Sequence, residues 1–134
     1  MPLISHELLP LRCEADIVLT RQAARRKAIE LGFGLIDQTK FVTAASELAR
    51  NAIEHGGGGE VALDTLQEGL RRGLRATFTD QGPGIPDMAL ALTDGYTTGN
   101  GMGLGLSGSR RLVNEFTITS TVGQGTCVTI TRWK

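Results

Sequence analysis

The apolar residues of this chain recur at two spacings, one typical of helices and the other typical of strands. Helices are predicted where apolar residues recur roughly every three to four positions and a capping residue or a glycine marks the ends. Strands are predicted where apolar and polar residues alternate. The predicted helices cover residues 21–31, 37–55 and 104–115, and the predicted strands cover residues 12–19, 61–66, 74–79, 116–122 and 126–133.

Capping residues and glycines set the limits of these elements. Thr20 and Asp37 are predicted to cap the first two helices, which end at Gly32 and at the glycine run of residues 56–59. Residues 123–125 are predicted as the turn of a closing hairpin. Helices interleaved with hairpin-connected strands predict an α/β two-layer sandwich, with helices on one face of a mixed, mostly antiparallel sheet. We expect residues 1–134 to form a single domain.

Composition narrows the class of protein. The chain has 134 residues, of which 40% are hydrophobic and 21% charged, and its mean hydropathy is −0.04. The net charge is +0 and the pI about 6.7, and this lack of a basic surplus disfavours nucleic-acid binding. No apolar run is long enough to span a bilayer, so we expect no membrane partner and a cytoplasmic location. Cys13 and Cys127 are expected to be small strand residues in a reducing compartment.

The predicted second helix carries two polar residues one turn apart. Glu47 and Asn51 lie on the face opposite the apolar stripe, together with Ala44 and Glu54. A carboxylate can orient or deprotonate a nucleophile, and an amide oxygen suits Mg²⁺. The alternative is a solvated polar face without chemistry. Glu54 and His55 are rival acid–base candidates, but a His at a helix end more often complements the helix dipole.

A second candidate segment follows the predicted strand at residues 74–79. Asp80 is placed to accept a hydrogen bond from an exocyclic amine such as that of adenine, while Gly82 and Gly84 allow a ring or a ribose to approach the backbone. Pro83 stiffens the turn between these glycines. The residues of this segment are also typical of a β-turn that binds no ligand, and the residues alone leave both interpretations open.

The segment Gly101-Met-Gly-Leu-Gly-Leu106 is a third candidate, because its glycines expose backbone N–H groups just before a predicted helix. It lacks the spacing and the lysine of a Walker loop, and no strand directly precedes it as in the dinucleotide fingerprint. Upstream, residues 87–102 are predicted to form a mobile loop with a short helical piece, suited to a lid over phosphates. The candidate phosphate-contacting residues are Thr97, Thr98, Gly101, Met102, Gly103, Leu104 and Gly105.

The three segments, in this order and followed by Gly125-Thr126, resemble the motifs of the GHKL superfamily of gyrase, Hsp90, histidine kinases and MutL. Residues 47–51 match its N-box, residues 80–84 its first glycine box and residues 101–105 its second. The resemblance covers residues 12–133. Within the superfamily the chain is similar to the RsbT-type switch kinases of the stressosome. These are small bacterial serine/threonine kinases that regulate sigma factors by partner switching.

The resemblance implies a Bergerat ATP-binding fold, ATP and Mg²⁺ as cofactors, and phosphorylation of a STAS-domain protein on Ser or Thr. It also implies a PP2C-type phosphatase as a second partner. In this family Glu47 would be the general base, Asn51 the Mg²⁺ ligand and Asp80 the residue that reads adenine, supported by Thr126. An alternative within the same superfamily is an anti-sigma factor that sequesters a sigma factor, with ATP as a structural ligand.

Overall fold

Five strands and three helices are found in the parts of the chain that the computed structural model describes, residues 3–84 and 105–134. The strands are β1 (Leu3–Leu11), β2 (Gly59–Glu68), β3 (Arg71–Asp80), β4 (Glu115–Thr121) and β5 (Gly125–Trp133). The helices are α1 (Glu14–Glu30), α2 (Leu35–Glu54) and α3 (Gly105–Arg111). None of these described helices combines the length and the apolar composition that a bilayer span requires.

The strands form one sheet in the order β1-β2-β3-β5-β4, and every pairing between them is antiparallel. Alternate residues of the central strands, such as Leu63, Phe78 and Ile130, are buried beneath Phe41 and Leu48 of α2. Because strand side chains alternate between faces, this apolar set places the helices on one side of the sheet. The predicted two-layer α/β sandwich is confirmed, and the described strands are antiparallel throughout rather than mixed.

The N-terminal region differs from the prediction. Residues 12–19, predicted as a strand, instead contain the start of α1, and the edge strand β1 precedes them. The carboxylate of Asp16 accepts a hydrogen bond from the backbone N–H of Arg12 at 2.8 Å. Thr20 is not a cap but lies inside α1, where its hydroxyl donates to the Asp16 carbonyl at 2.8 Å. The hydrogen bond between Arg12 and Asp16 and the acidic first turn favour a helix over the strand that the β-branched run suggested.

Helix α2 agrees with its prediction in position but differs at its start. It ends just before residues 56–59, which stop it as predicted. Its N-cap is Gly34 rather than Asp37, whose carboxylate pairs instead with the Arg132 guanidinium at 2.6 Å. Ala44, predicted on the polar face, is fully buried because α2 packs against both α1 and α3.

The C-terminal elements confirm the closing hairpin. Helix α3 is shorter than the prediction of residues 104–115, because the chain turns after Arg111 and enters β4 at Glu115. Strands β4 and β5 pair as predicted, and Gly123 in their turn has a φ of +83°, which favours glycine. The predicted mobile loop at residues 87–102 lies outside the described residues.

Both cysteines are free thiols. Cys127 lies in β5, as expected. The expected strand position is wrong for Cys13, which is exposed and caps α1 instead. The difference has the same origin as the misassigned strand, because the helix begins immediately after this residue.

Candidate functional site

The end of α2 lies against the end of β3. The backbone N–H groups of His55 and Gly56 donate to the carbonyl of Asn51 at 2.9 and 3.2 Å. Gly56 in turn packs against the side chain of Asp80, since a Cβ at Gly56 would lie 2.6 Å from the Asp80 Cβ and 2.7 Å from its Oδ1. Gly56 therefore links the two candidate segments, since it contacts both the Asn51 carbonyl and the Asp80 side chain.

One oxygen of the Asp80 carboxylate is held by the backbone. Oδ1 accepts hydrogen bonds from the N–H of Gly82 at 3.0 Å and the N–H of Thr126 at 3.3 Å. Oδ2 accepts no hydrogen bond from residues 3–84 or 105–134. A carboxylate fixed in this way keeps one oxygen for a ligand, and that oxygen suits an amine donor.

Glycines allow the backbone to pack closely around Asp80. A Cβ at Gly82 would lie 2.6 Å from the Cα of Gly56, and a Cβ at Gly125 would overlap the Asp80 carbonyl. Gly125 also has a φ of +118°, a conformation that L side chains rarely adopt. Gly84, at φ +80°, packs closely against the end of β4. The backbone segments can meet around the carboxylate only because these positions lack a Cβ.

Glu47 and Asn51 lie one helical turn apart on α2, and both are half-buried. Within the described parts of the chain, neither side chain has a hydrogen-bond or ion-pair partner. Buried Leu48 and Ala52 fix the opposite side of the helix in the core. The helix therefore holds one carboxylate and one amide on a rigid element, where they can accept a proton or coordinate a hard cation.

Sequence reasoning misses two residues of this arrangement. Ser120 faces Thr126 across the β4–β5 pairing, with their hydroxyl oxygens 2.9 Å apart, and it also donates to the Gly125 carbonyl at 3.1 Å. The register of the predicted hairpin is a signal that could have found Ser120. Gly56 is predicted only to end a helix, and no local signal shows that it faces Asp80, because that contact joins two distant elements.

Of the third candidate segment, the structure describes only the C-terminal end, which begins at Gly105. Gly105 is the first residue of α3, which packs against α2. This position confirms a helix start close to the predicted one, while the role of the segment stays a prediction. The candidate residues outside the described parts of the chain are Thr97, Thr98, Gly101, Met102, Gly103 and Leu104.

A separate cleft of about 580 Å³ lies towards the sheet face that the helices leave open. Its lining residues are Leu8, Pro10, Gly56, Gly57, Gly58, Gly59, Glu60, Thr79 and Gln81. Glu47, Asn51 and Asp80 do not line it, so the candidate site and this cleft are different surfaces that share only the glycine run.

The chain is similar in sequence to nucleotide-dependent enzymes. Residues 36–134 match the family described as histidine kinase-, DNA gyrase B-, and HSP90-like ATPase. Over 120 residues the chain is 43% identical to the serine/threonine-protein kinase RsbT of Bacillus subtilis, and the match covers 90% of each protein. The family match at residues 36–134 contains every residue of the site described above.

Solved structures are similar in fold. The RsbU and RsbW domains of a Mycobacterium tuberculosis protein match 100% of this chain with a TM-score of 0.66 and 24% identity. This chain spans 33% of that longer one. The mycobacterial sensor histidine kinase MprB matches 96% of this chain and 97% of its own, with a TM-score of 0.59 and 19% identity. At these identities the likeness shows a shared fold.

Proposed function

The chain belongs to the histidine kinase-, DNA gyrase B- and HSP90-like ATPases and is a serine/threonine protein kinase of the RsbT type, and from this premise we propose that it phosphorylates a STAS-domain protein with ATP. The proposed ATP site comprises Glu47 and Asn51 on α2, Asp80 at the end of β3 and Thr126 on β5. The family match begins at residue 36 and includes all four residues.

The geometry of Asp80 is the observation that carries this proposal. Its Oδ1 is engaged by two backbone donors, whereas Oδ2 has no donor among the described residues. Gly56 and Gly82 pack closely together beside the carboxylate, because neither has a Cβ. Adenine would bind here by donating a hydrogen bond from its exocyclic amine to Oδ2. Thr126 supports this end of the site through the N–H that orients the carboxylate.

Glu47 and Asn51 form the proposed phosphate end. Bound ATP with Mg²⁺ supplies the phosphoryl group and the cation that neutralises its charge. The Asn51 side-chain oxygen would be the protein ligand of Mg²⁺. No group of three or more His, Cys, Asp or Glu among residues 3–84 and 105–134 could hold a metal ion, so the other ligands would be phosphate and water oxygens. The Glu47 carboxylate would take the proton of the substrate hydroxyl.

The second glycine box completes the proposed site. Residues 101–105 would bind phosphates through backbone N–H groups, and Thr97 and Thr98 would close over them. The position of α3 supports this proposal, because the helix that follows the box packs against the helix that carries Glu47.

The proposal extends to partners and location. The phosphoacceptor is a Ser or Thr of a STAS-domain protein, and a PP2C-type phosphatase is the second partner, activated by binding. Both assignments are supported by the resemblance to partner-switching kinases of the stressosome. A cytoplasmic location follows from the need of such a kinase for ATP and for these partners.

The decisive experiment combines the chain with γ-labelled ATP, Mg²⁺ and STAS-domain proteins from the same cell. The wild-type chain should label a Ser or Thr, and Glu47→Gln should bind ATP with unchanged affinity but transfer label on the order of 10²–10⁴-fold more slowly. Thr43→Ala is a matched control on the same helix, because Thr43 is exposed. Equal loss of binding and transfer in Glu47→Gln would contradict the role of Glu47 as a base.

A second candidate function is an anti-sigma factor that sequesters a sigma factor and keeps ATP as a structural ligand. The same experiment separates the two functions. Tight ATP binding without transfer to any STAS-domain protein, together with ATP-dependent capture of a sigma factor, would replace the kinase proposal with sequestration.

A further inference from the structure

The side chain of Arg132 joins three elements of the fold. From β5, its Nε and Nη2 donate to Oδ1 of Asp37 at 3.2 and 2.6 Å, and its Nη1 donates to the backbone carbonyl of Leu112 at 2.9 Å. The Arg132 side chain is only 15% exposed. A guanidinium presents its donors in a rigid planar fork, so these bonds hold the two acceptors in a defined relation to each other.

One acceptor lies on α2, which carries part of the proposed ATP site, and the other lies in the turn that follows α3. Asp37 lies in the first turn of α2, the helix that carries Glu47 and Asn51. Leu112 directly follows the last residue of α3, the helix that the second glycine box leads into. The Arg132 side chain therefore links the start of α2 to the turn at the end of α3.

The turn after α3 is also fixed to β5 by the backbone. The N–H of Asn114 donates to the Thr131 carbonyl at 3.0 Å, and the Asn114 side-chain oxygen accepts from the Trp133 N–H at 2.6 Å. The Arg132 bonds add a polar link between the start of α2 and the turn after α3.

We propose that Arg132, with Asp37, is a positioning residue for phosphoryl transfer, because it holds the turn after α3, and with it α3, in place against α2, the helix that carries Glu47 and Asn51. The inference rests on the ATP site proposed above. Phosphoryl transfer depends mainly on positioning and charge stabilisation, and a misplacement of about 1 Å can cost roughly 100-fold in rate. The hydrogen bonds of Arg132 to Asp37 and Leu112, called the clamp from here on, lie at the start of α2 and just after the end of α3. The clamp therefore acts through the helices and not by contact with the proposed phosphates.

The test compares Arg132→Ala, Arg132→Lys and Asp37→Ala with Arg75→Ala as the matched control. Arg75 is also a sheet arginine in an ion pair, but its partner is Asp64 on the neighbouring strand β2. We expect Arg132→Ala to lower kcat/KM for ATP on the order of 10- to 100-fold. ATP affinity should fall more than adenosine affinity, because adenosine lacks the phosphates that the glycine box would bind.

The variants also separate positioning from stability. Arg132→Lys should recover part of the activity, because one ammonium can reach only some of the acceptors. Asp37→Ala, like Arg132→Ala, should lower the affinity for ATP more than the affinity for adenosine. The double variant with Arg132→Ala and Asp37→Ala should have nearly the same kcat/KM for ATP as Arg132→Ala alone, because both changes remove the same ion pair. A lowered melting temperature with unchanged kcat/KM and an unchanged ratio of ATP to adenosine affinity would overturn the inference. If Arg132→Ala does not fold, wild-type kinetics in Asp37→Ala would overturn it equally.

A different result is expected if the proposed ATP site is itself wrong. In that case Asp80→Asn would bind ATP and adenosine as tightly as the wild type does. Loss of adenosine binding in Asp80→Asn, with normal kinetics in the Arg132 and Asp37 variants, would support the proposed ATP site and contradict only the positioning role of Arg132.

Discussion

Oδ1 of Asp80 lies 3.3 Å from the backbone nitrogen of Thr126, a residue 46 positions later in the chain. Asp80 ends β3, and Thr126 stands opposite it near the start of β5. The antiparallel pairing of these strands thus supplies one of the two donors that orient the carboxylate. Because both donors are backbone N–H groups, the orientation of the carboxylate does not depend on the side chain of Thr126.

Asp80→Asn should weaken ATP binding on the order of 10- to 100-fold. The Asn oxygen would replace Oδ1 as the acceptor for the two backbone N–H groups, which turns the amide NH₂ towards the amine of adenine. Two donors then face each other. Isothermal titration with ATP and with inorganic triphosphate checks this expectation, since triphosphate has no ring and its affinity should not change. Unaltered ATP affinity would remove adenine recognition from Asp80.

Gly56→Ala should disrupt the adenine end without touching Glu47. The new Cβ would lie 2.6 Å from the Asp80 Cβ, so the carboxylate must move, and we expect a loss of about 1–3 kcal/mol in stability together with weaker ATP binding. Gly34→Ser is the control, because Gly34 caps α2 in an extended conformation with nothing within 4 Å of a new Cβ. That variant should gain about a few tenths of a kcal/mol. Urea unfolding measures both, and equal stability of the two variants would contradict the packing argument.

Asp16→Asn should make the free energy of unfolding vary less with pH in the acid range. The backbone N–H of Arg12, and then its guanidinium, lower the pKa of the Asp16 carboxyl below its ordinary value. A lowered pKa in the folded state stabilises the fold above the unfolded value of about 3.9, and this contribution is lost as the pH falls through the folded value. The variant should therefore be less stable than the wild type at pH 7, with the gap closing below about pH 4. Urea titrations at both pH values test this, and a constant gap would refute the charge argument.

Asp64→Ala should destabilise the open face of the sheet more than His6→Ala does. The Asp64 side chain is 7% exposed, and its two oxygens bind His6 Nδ1 at 2.5 Å and Arg75 Nη2 at 3.1 Å. Removing it leaves a partly buried guanidinium without its anion, which costs about 1–3 kcal/mol. His6 is half exposed, and its loss should cost about 0–1 kcal/mol. Thermal melting of the two variants checks the order, and a larger effect of His6→Ala would reverse it.

Local pattern was sufficient for much of the fold. The apolar face of α2, the alternation in β2 and β3 and the glycine turn of the closing hairpin each depend on residues within a few positions of one another. The pattern failed where the environment decided the outcome. Pro10 disfavours a strand, yet β1 is an edge strand, where the missing N–H of proline is tolerated. With β1 in that place, the apolar run that follows forms the first turns of α1.

For the proposed site, the sequence predicts the chemistry of the residues but not how they assemble. The types and spacing of Glu47, Asn51, Asp80 and the glycines predict a nucleotide site, since a helical turn and a glycine-rich turn are local features. Only the tertiary structure decided that Gly56 seats Asp80 beside α2 and that Arg132 reaches Asp37, 95 positions away. Contacts of that kind depend on strand register, which is set by burial of the whole sheet face and not by any short segment.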